Sequence, residues 1–406
     1  MQTRAPAPVT PPPANRPATP PPALAFPELQ GQRGLAALLV VVFHAYQSHR
    51  LPPDGRYQYA GRPVDTVITS LDGMVDWFFV LSAFLLTLPY ARAVLAGRRP
   101  TAAKDFLGRR AVRIVPLYLI AVTTVWATRN PSLPGDWRDL LEHLTFTNVY
   151  DRTRIFYTVG PAWSLAVEVQ FYVVLVVLGT LLGALGQRTA SRRSRLGMLL
   201  AVPAGLLTVS VAWTVAFSSR PANHWEVWFG LPPKLGVFAA GTAAAVLVAL
   251  RRSPVPPAAV WALRLAGLAV VVVGSVTRVS TTGPGETAFH LLCGLGFAGV
   301  VLAGAWDAPR GPWHRVFGVG VLPWLGLVSY SLYLWHEPIL LSLSRHGLVP
   351  GTLEPGFLAT TALLVPVSLL AAWASWWAIE YPFSNLRFFL GDLPSRELQA
   401  ERRSAL

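Results

Sequence analysis

The 406-residue chain has one cysteine, Cys293, which excludes an intramolecular disulfide and leaves a zinc–thiolate site without ligands. Charged residues make up 13% of it, half the ~25% of an ordinary soluble domain. It contains no glycine-rich phosphate loop, no G-x-S-x-G nucleophile elbow and no H-E-x-x-H pair. ATP hydrolysis, an α/β-hydrolase site and a zincin site are therefore unsupported, and no metal site is expected. A cleavable signal peptide is not expected either, because the first apolar run follows a proline-rich leader and more apolar runs come after it. Acidic residues are few, 20 against 34 Lys and Arg, for a net charge of +14. In a soluble protein that excess would suggest nucleic acid. Here the arginines cluster between apolar runs, where orienting a chain in a membrane explains them, and no nucleic-acid partner is expected.

What the chain does have is apolar length. Hydrophobic residues make up 53%, with positive mean hydropathy, in runs long enough to cross a bilayer. The expected fold is all-α, a multi-pass membrane protein of about ten transmembrane helices. The spans fall near 33–49, 67–90, 112–128, 162–186, 197–218, 234–250, 258–277, 285–305, 319–343 and 356–379. A β-barrel would show short alternating segments instead. Three parts are expected: a disordered proline-rich tail (1–27), a ten-helix membrane domain (28–383) and a short cytoplasmic tail (384–406). Even-numbered connections are basic: Arg92 to Arg110, then Arg188 to Arg195, Arg251 with Arg252, and Arg310 with Arg315. Odd-numbered ones are mixed, as in Asp136–Arg154, or sparse, as around Arg345 and Glu354. Basic loops stay inside, so both termini are expected in the cytoplasm of a cell-membrane protein.

The first span carries Arg33 and His44, eleven residues apart. Eleven residues turn a helix through about 1100°, leaving the two side chains about 20° apart and roughly 16 Å apart along the axis. A permanent cation and a titratable imidazole thus share one face at two depths. Either they only anchor and pack the helix, or they serve a common site.

Other polar residues favour a site, since ionisable groups in spans are costly and by default functional. Asp76, Glu168 and His336 fall at depths near His44, and a carboxylate beside an imidazole would orient it and raise its basicity. His44 with Asp76 or Glu168 is the expected proton-handling pair, with helix–helix packing as the alternative. Ser329, Tyr333 and His336 lie at i, i+4 and i+7, a polar face expected to line a cavity. Arg110 and Arg113 share a face as helix 3 enters the membrane, level with Arg33, and three converging guanidiniums suit phosphate groups.

With these residues in view, the chain resembles the membrane acyltransferase-3 family, integral enzymes that acylate carbohydrates, macrolides and other cell-surface or secreted molecules. The likeness runs over roughly 29–383, through LQGQRGLAALLVVVFH with its R-x10-H spacing, VDWFFVLSAFLLT, RRAVRIVPLY, PAWSLAVEVQFY, VSYSLYLWHEPI and IEYPF, in order. Gln30 stands where the family often has Asp, Gln32 where it has an apolar residue and Ala83 where it has Gly, leaving the R-x10-H pair intact. No appended extracytoplasmic hydrolase-like domain is expected, as in the stand-alone members.

The resemblance implies transfer of an acetyl or other short acyl group from acyl-CoA to a hydroxyl of a small molecule, carbohydrate, macrolide or cell-envelope acceptor. By similarity His44 is the catalytic base, helped by Glu168 of the W-S-L-x-x-E segment or by Asp76, and Arg33, Arg110 and Arg113 hold donor phosphates. Ser82, Trp163, Ser329, Tyr333 and His336 line the cavity. Acyl-CoA is a co-substrate, and no cofactor is expected to stay bound. Direct transfer is simpler than a covalent intermediate on Ser82 or Ser331. The rival reading, a transporter or flippase, calls for internal repeats and broken helices, and no convincing repeat is present.

Overall fold

In the computed structural model, the described residues are 26–51, 56–132, 134–189, 191–221, 223–278, 283–306, 311–349 and 356–386. The tails expected over 1–27 and 384–406 fall almost wholly outside them, as do Arg310 and Glu354 of the loops used to orient the chain.

All ten expected spans are helices: α1 Pro27–Gln47, α2 Met74–Leu95, α3 Ala103–Arg129, α4 Ala162–Arg188, α5 Arg192–Ala216, α6 Leu231–Leu250, α7 Pro257–Val276, α8 Gly283–Trp306, α9 Val321–Arg345 and α10 Gly356–Ser375. Eight of these, or longer helices containing them, are apolar and long enough to cross a membrane. The other two, α1 and α9, have 21 and 25 residues, enough for about 30 Å or more at 1.5 Å per residue. Glutamines, serines, histidines and arginines dilute their apolar character. The chain is a polytopic all-α membrane protein. Among the described residues the sole β pairing is a two-residue ladder, Arg50–Leu51 with Arg56–Tyr57.

Local sequence explains the ends. Pro27 opens α1 at a position that needs no amide donor, and the Ser48 N–H closes it on the His44 carbonyl at 3.0 Å. Prolines inside α2, α3, α5, α9 and α10 are tolerated as in other membrane helices. The last helix continues through a π-helical turn, Trp376–Glu380, a local rewinding often found at functional sites. Between α3 and α4, Asp136 caps a short helix, Trp137–Leu144, by accepting from the Asp139 N–H at 3.1 Å.

The most extensive helix pairing is α1 with α9. It depends on glycine. A Cβ on Gly34 would strike the Leu322 carbonyl oxygen, and would lie 2.6 Å from the Gly326 nitrogen; one on Gly326 would strike the Gln30 carbonyl oxygen. With little hydrophobic drive between helices in lipid, such backbone approach is what holds them. It also brings His44 of α1 against His336 of α9.

Candidate active site

The two histidines form a direct pair. His44 Nδ1 lies 3.2 Å from His336 Nε2, with ring centroids 4.8 Å apart. Each Nδ1 also faces the carbonyl one turn back in its own helix, Val40 O at 3.0 Å for His44 and Leu332 O at 3.1 Å for His336. A carbonyl can only accept, so these contacts assign the proton of each neutral ring to Nδ1. His336 Nε2 is then a lone pair that accepts a share of the His44 Nδ1–H. His44 Nε2 is left as a lone pair with no hydrogen bond among the described residues. His336 is fully buried, while His44 is half-buried.

Next to the pair lies a small, partly open pocket lined by Arg33, Val75, Phe78, Phe79, Ser164, Leu165, Glu168, Ser329, Tyr330 and Tyr333. Tyr333 links the two features. Its hydroxyl meets Ser164 Oγ at 2.7 Å, and its ring lies 5.8 Å from His336. Glu168 accepts from Ser82 Oγ and, at 2.6 Å, from the Tyr172 hydroxyl. Ser329 lines the wall while donating to the Gly326 carbonyl at 2.9 Å.

Arg113 acts on Arg33, and Arg110 and Arg113 both act on Tyr172. Arg33 stands 5.9 Å over the Phe78 ring, its buried Nε has no hydrogen-bond partner among the described residues, and the charges of Arg113, Glu168 and Glu380 act on it. Glu380, which sequence reasoning passed over, is held by the Ser331 hydroxyl at 2.5 Å. Its signal was present in IEYPF, where it reads as the end of a span rather than as a side chain the π-helical turn brings to Ser331.

Not every expected residue joins the site. Asp76 does not meet His44. Its Oδ2 takes His290 Nδ1 at 2.6 Å on α8, because Val75, Phe78 and Phe79 form the face of α2 turned to the cavity and Asp76 lies off it. Glu168 is in the cavity, but its hydrogen bonds go to Ser82 and Tyr172 rather than to an imidazole. Trp163 packs on Phe229 and Phe79, with centroids at 4.7 and 6.2 Å, and it, Ser82 and His336, all three expected in the cavity lining, are not part of it. Ser82 and Ser331 both donate to carboxylates, and neither is bonded to a histidine.

A second buried cluster lies apart from the cavity. His290 Nε2 meets Glu286 at 2.7 Å, so both its ring nitrogens face carboxylates. Arg278 donates to Asp72 at 3.0 and 2.7 Å and to Glu286 at 2.6 Å. Lys234, 1% exposed, sits over the Trp163 and Phe229 rings and is attracted by Glu286, Asp76 and Asp72. Burial alone would make the Arg278 proton easier to lose; Asp72 and Glu286 reverse this and raise its pKa. Glu286 and His290, four apart in an apolar span, were the missed signal.

Ten long helices, with a histidine pair beside an arginine-bearing pocket, define an integral membrane protein. The chain belongs to the acyltransferase-3 family, whose model, described as an acyltransferase domain, matches residues 26–377. A putative membrane-bound transacylase of Komagataeibacter xylinus is 27% identical over 362 residues, 85% of this chain and 80% of that protein. A putative O-acetyltransferase of Staphylococcus aureus strain COL is 24% identical over 341 residues, 77% of this chain and 50% of its own. The peptidoglycan O-acetyltransferase of Listeria monocytogenes is 25% identical over 335 residues, 77% of this chain and 49% of its own. The chain thus spans about half the length of the latter two. No solved structure matches it.

Proposed function

We propose that the protein transfers a short acyl group, such as acetyl, from acyl-CoA to a hydroxyl of a carbohydrate, macrolide or cell-envelope acceptor. The observation that carries this reading is the state of His44. Its Nδ1–H is committed to Val40 O and His336, leaving Nε2 as an unengaged lone pair in a half-buried position. That is the form a general base requires. The relatives' names favour an O-linked product, and the family favours acyl transfer over transport.

On this reading the donor's phosphates sit at Arg33, Arg110 and Arg113, at the end the basic loops assign to the cytoplasm. The thioester arm runs past Phe78 and Tyr333 towards His44. Nε2 takes the acceptor's hydroxyl proton, the oxygen attacks the thioester carbon, and the carbon–sulfur bond breaks. The proton then returns to the departing thiolate. The carboxylate contacts of Ser82 and Ser331 favour this direct route over a covalent intermediate.

The test is acyl transfer from labelled acetyl-CoA to candidate acceptors by purified protein. His44→Ala is expected to lower the acceptor-dependent rate about 10²- to 10⁴-fold, the usual worth of a positioned base. A mutant that transfers at the wild-type rate would sink the assignment.

A further inference from the structure

We propose that His336 is the second half of the base, so that the proton collected at His44 Nε2 is shared across the contact between His44 Nδ1 and His336 Nε2. This rests on the reading of His44 as the base.

Among the described residues no carboxylate takes the orienting position behind His44. Asp76 is held by His290, Glu168 by Ser82 and Tyr172, and Glu337 accepts the Gly160 amide at 2.7 Å. What stands there are two neutral acceptors for one N–H: Val40 O at 3.0 Å and His336 Nε2 at 3.2 Å. The carbonyl fixes the tautomer in the resting state but cannot take a proton. The imidazole can.

When Nε2 gains the acceptor's proton, His44 carries a positive charge in a bilayer interior, where an isolated ion is costly. Its Nδ1 proton becomes a stronger donor, and the basic nitrogen 3.2 Å away accepts it better than the carbonyl does. Complete transfer leaves His44 neutral with its proton on Nε2, and His336 with protons on both nitrogens, its Nδ1–H still on Leu332 O. One charge is thereby spread over two rings whose centroids are 4.8 Å apart, which lowers its solvation cost. His336 is buried and its Nδ1 chain ends at the Leu332 carbonyl, so the proton has no onward path and returns through His44 to the thiolate. The stabilisation exists only once charge has developed, so it acts on the chemical step and leaves donor binding unchanged.

The deciding variant is His336→Gln, whose amide oxygen can accept the His44 N–H but cannot take its proton. The expected result is a kcat about tenfold or more below wild type with KM for acyl-CoA within twofold. Wild-type kcat in His336→Gln would overturn the proposal, because an orienting acceptor would then suffice. A second measurement needs no variant: a pH titration of the wild-type protein with ¹⁵N-labelled histidine, followed by NMR. Resonances of His44 and His336 are expected to move together over the first protonation step, as for a coupled pair; movement of His44 alone would overturn it. Absence of any acyl-CoA turnover by wild type would instead refute the proposed function, and the titration would still decide whether the pair shares a proton.

Discussion

Replacing Arg278 by methionine tests whether the buried cluster between α2, α6 and α8 is held by charge balance. Asp72, Asp76 and Glu286 face Arg278, Lys234 and a His290 whose two ring nitrogens both meet carboxylates. Three acids therefore stand against three bases. Arg278 is 8% exposed in its side chain and Glu286 3%, so water screens their attraction poorly. Methionine keeps much of the packing against the Phe289 ring, 4.1 Å from the guanidinium carbon, and deletes the charge. One buried carboxylate is then left without compensation, which costs about 3–5 kcal/mol. A surface pair would cost about 1 kcal/mol or less.

Arg138 supplies that comparison within the same chain, since its side chain is 62% exposed and pairs with Glu142 at 2.8 Å. In detergent, thermal unfolding followed through the 15 tryptophans should show a much larger fall in midpoint for Arg278→Met than for Arg138→Met. Adding Glu286→Gln restores the count of charges. The double variant should then lose less than the sum of the two single losses, with a coupling of about 1–3 kcal/mol as expected for groups in one network. Equal midpoints for Arg278→Met and Arg138→Met, or strict additivity with Glu286→Gln, would refute the argument from charge balance.

Gly34→Leu should separate α1 from α9, because even a Cβ there strikes the Leu322 carbonyl oxygen and crowds the Gly326 nitrogen. Transfer is expected to fall about 10²-fold or more as the histidine pair parts, read as initial rates on protein shown by gel filtration to be folded. In the α3–α4 connection, burial would raise the Asp151 pKa, but Thr153 and Arg154 outweigh it and bring it down to about 2, and Asp136 is lowered in the same sense by Asp139 and Arg154. Depressed carboxylates stabilise the fold above their ordinary pKa of about 4, and that contribution is lost as pH falls towards 2. Amide protection over residues 148–158, corrected for intrinsic exchange, should drop across that window, and Arg154→Ala should reduce the drop.

Position along each helix was legible in the sequence, and direction around each helix was not. Ten apolar runs became ten helices because length and hydropathy determine a span almost by themselves. The R-x10-H spacing placed Arg33 and His44 at two levels of one face, and the structure puts Arg33 at the cavity and His44 against His336. Asp76 shows the limit. It does lie in the first turn of α2, as its position implied, but α2 is apolar on every side and buries most of its residues. With no polar face to orient the helix, nothing in the sequence says whether Asp76 points at α1 or α8. His290, its partner, is 214 residues away. Glu380 was hidden for a related reason: an α-helical reading of α10 does not contain the π-helical turn that brings it to Ser331.

The distribution of charge explains why a neutral histidine, rather than Asp76 or Glu168, stands behind His44. A carboxylate there would need its own compensation inside the bilayer, and each buried carboxylate described above already has one: His290 and Arg278 for the α2–α8 cluster, the hydroxyls of Ser82 and Tyr172 for Glu168, and Ser331 for Glu380. Two imidazoles that donate to carbonyls of their own helices carry no net charge at rest, so the base can wait in a low-dielectric setting at little cost. On the proposed reading, the phosphates of an anionic donor meet Arg33, Arg110 and Arg113 only while the donor is bound. On that arrangement donor binding should weaken with salt, since it is the step that brings opposite charges together. The proton transfer at His44, shielded from ions by the helices around it, should not.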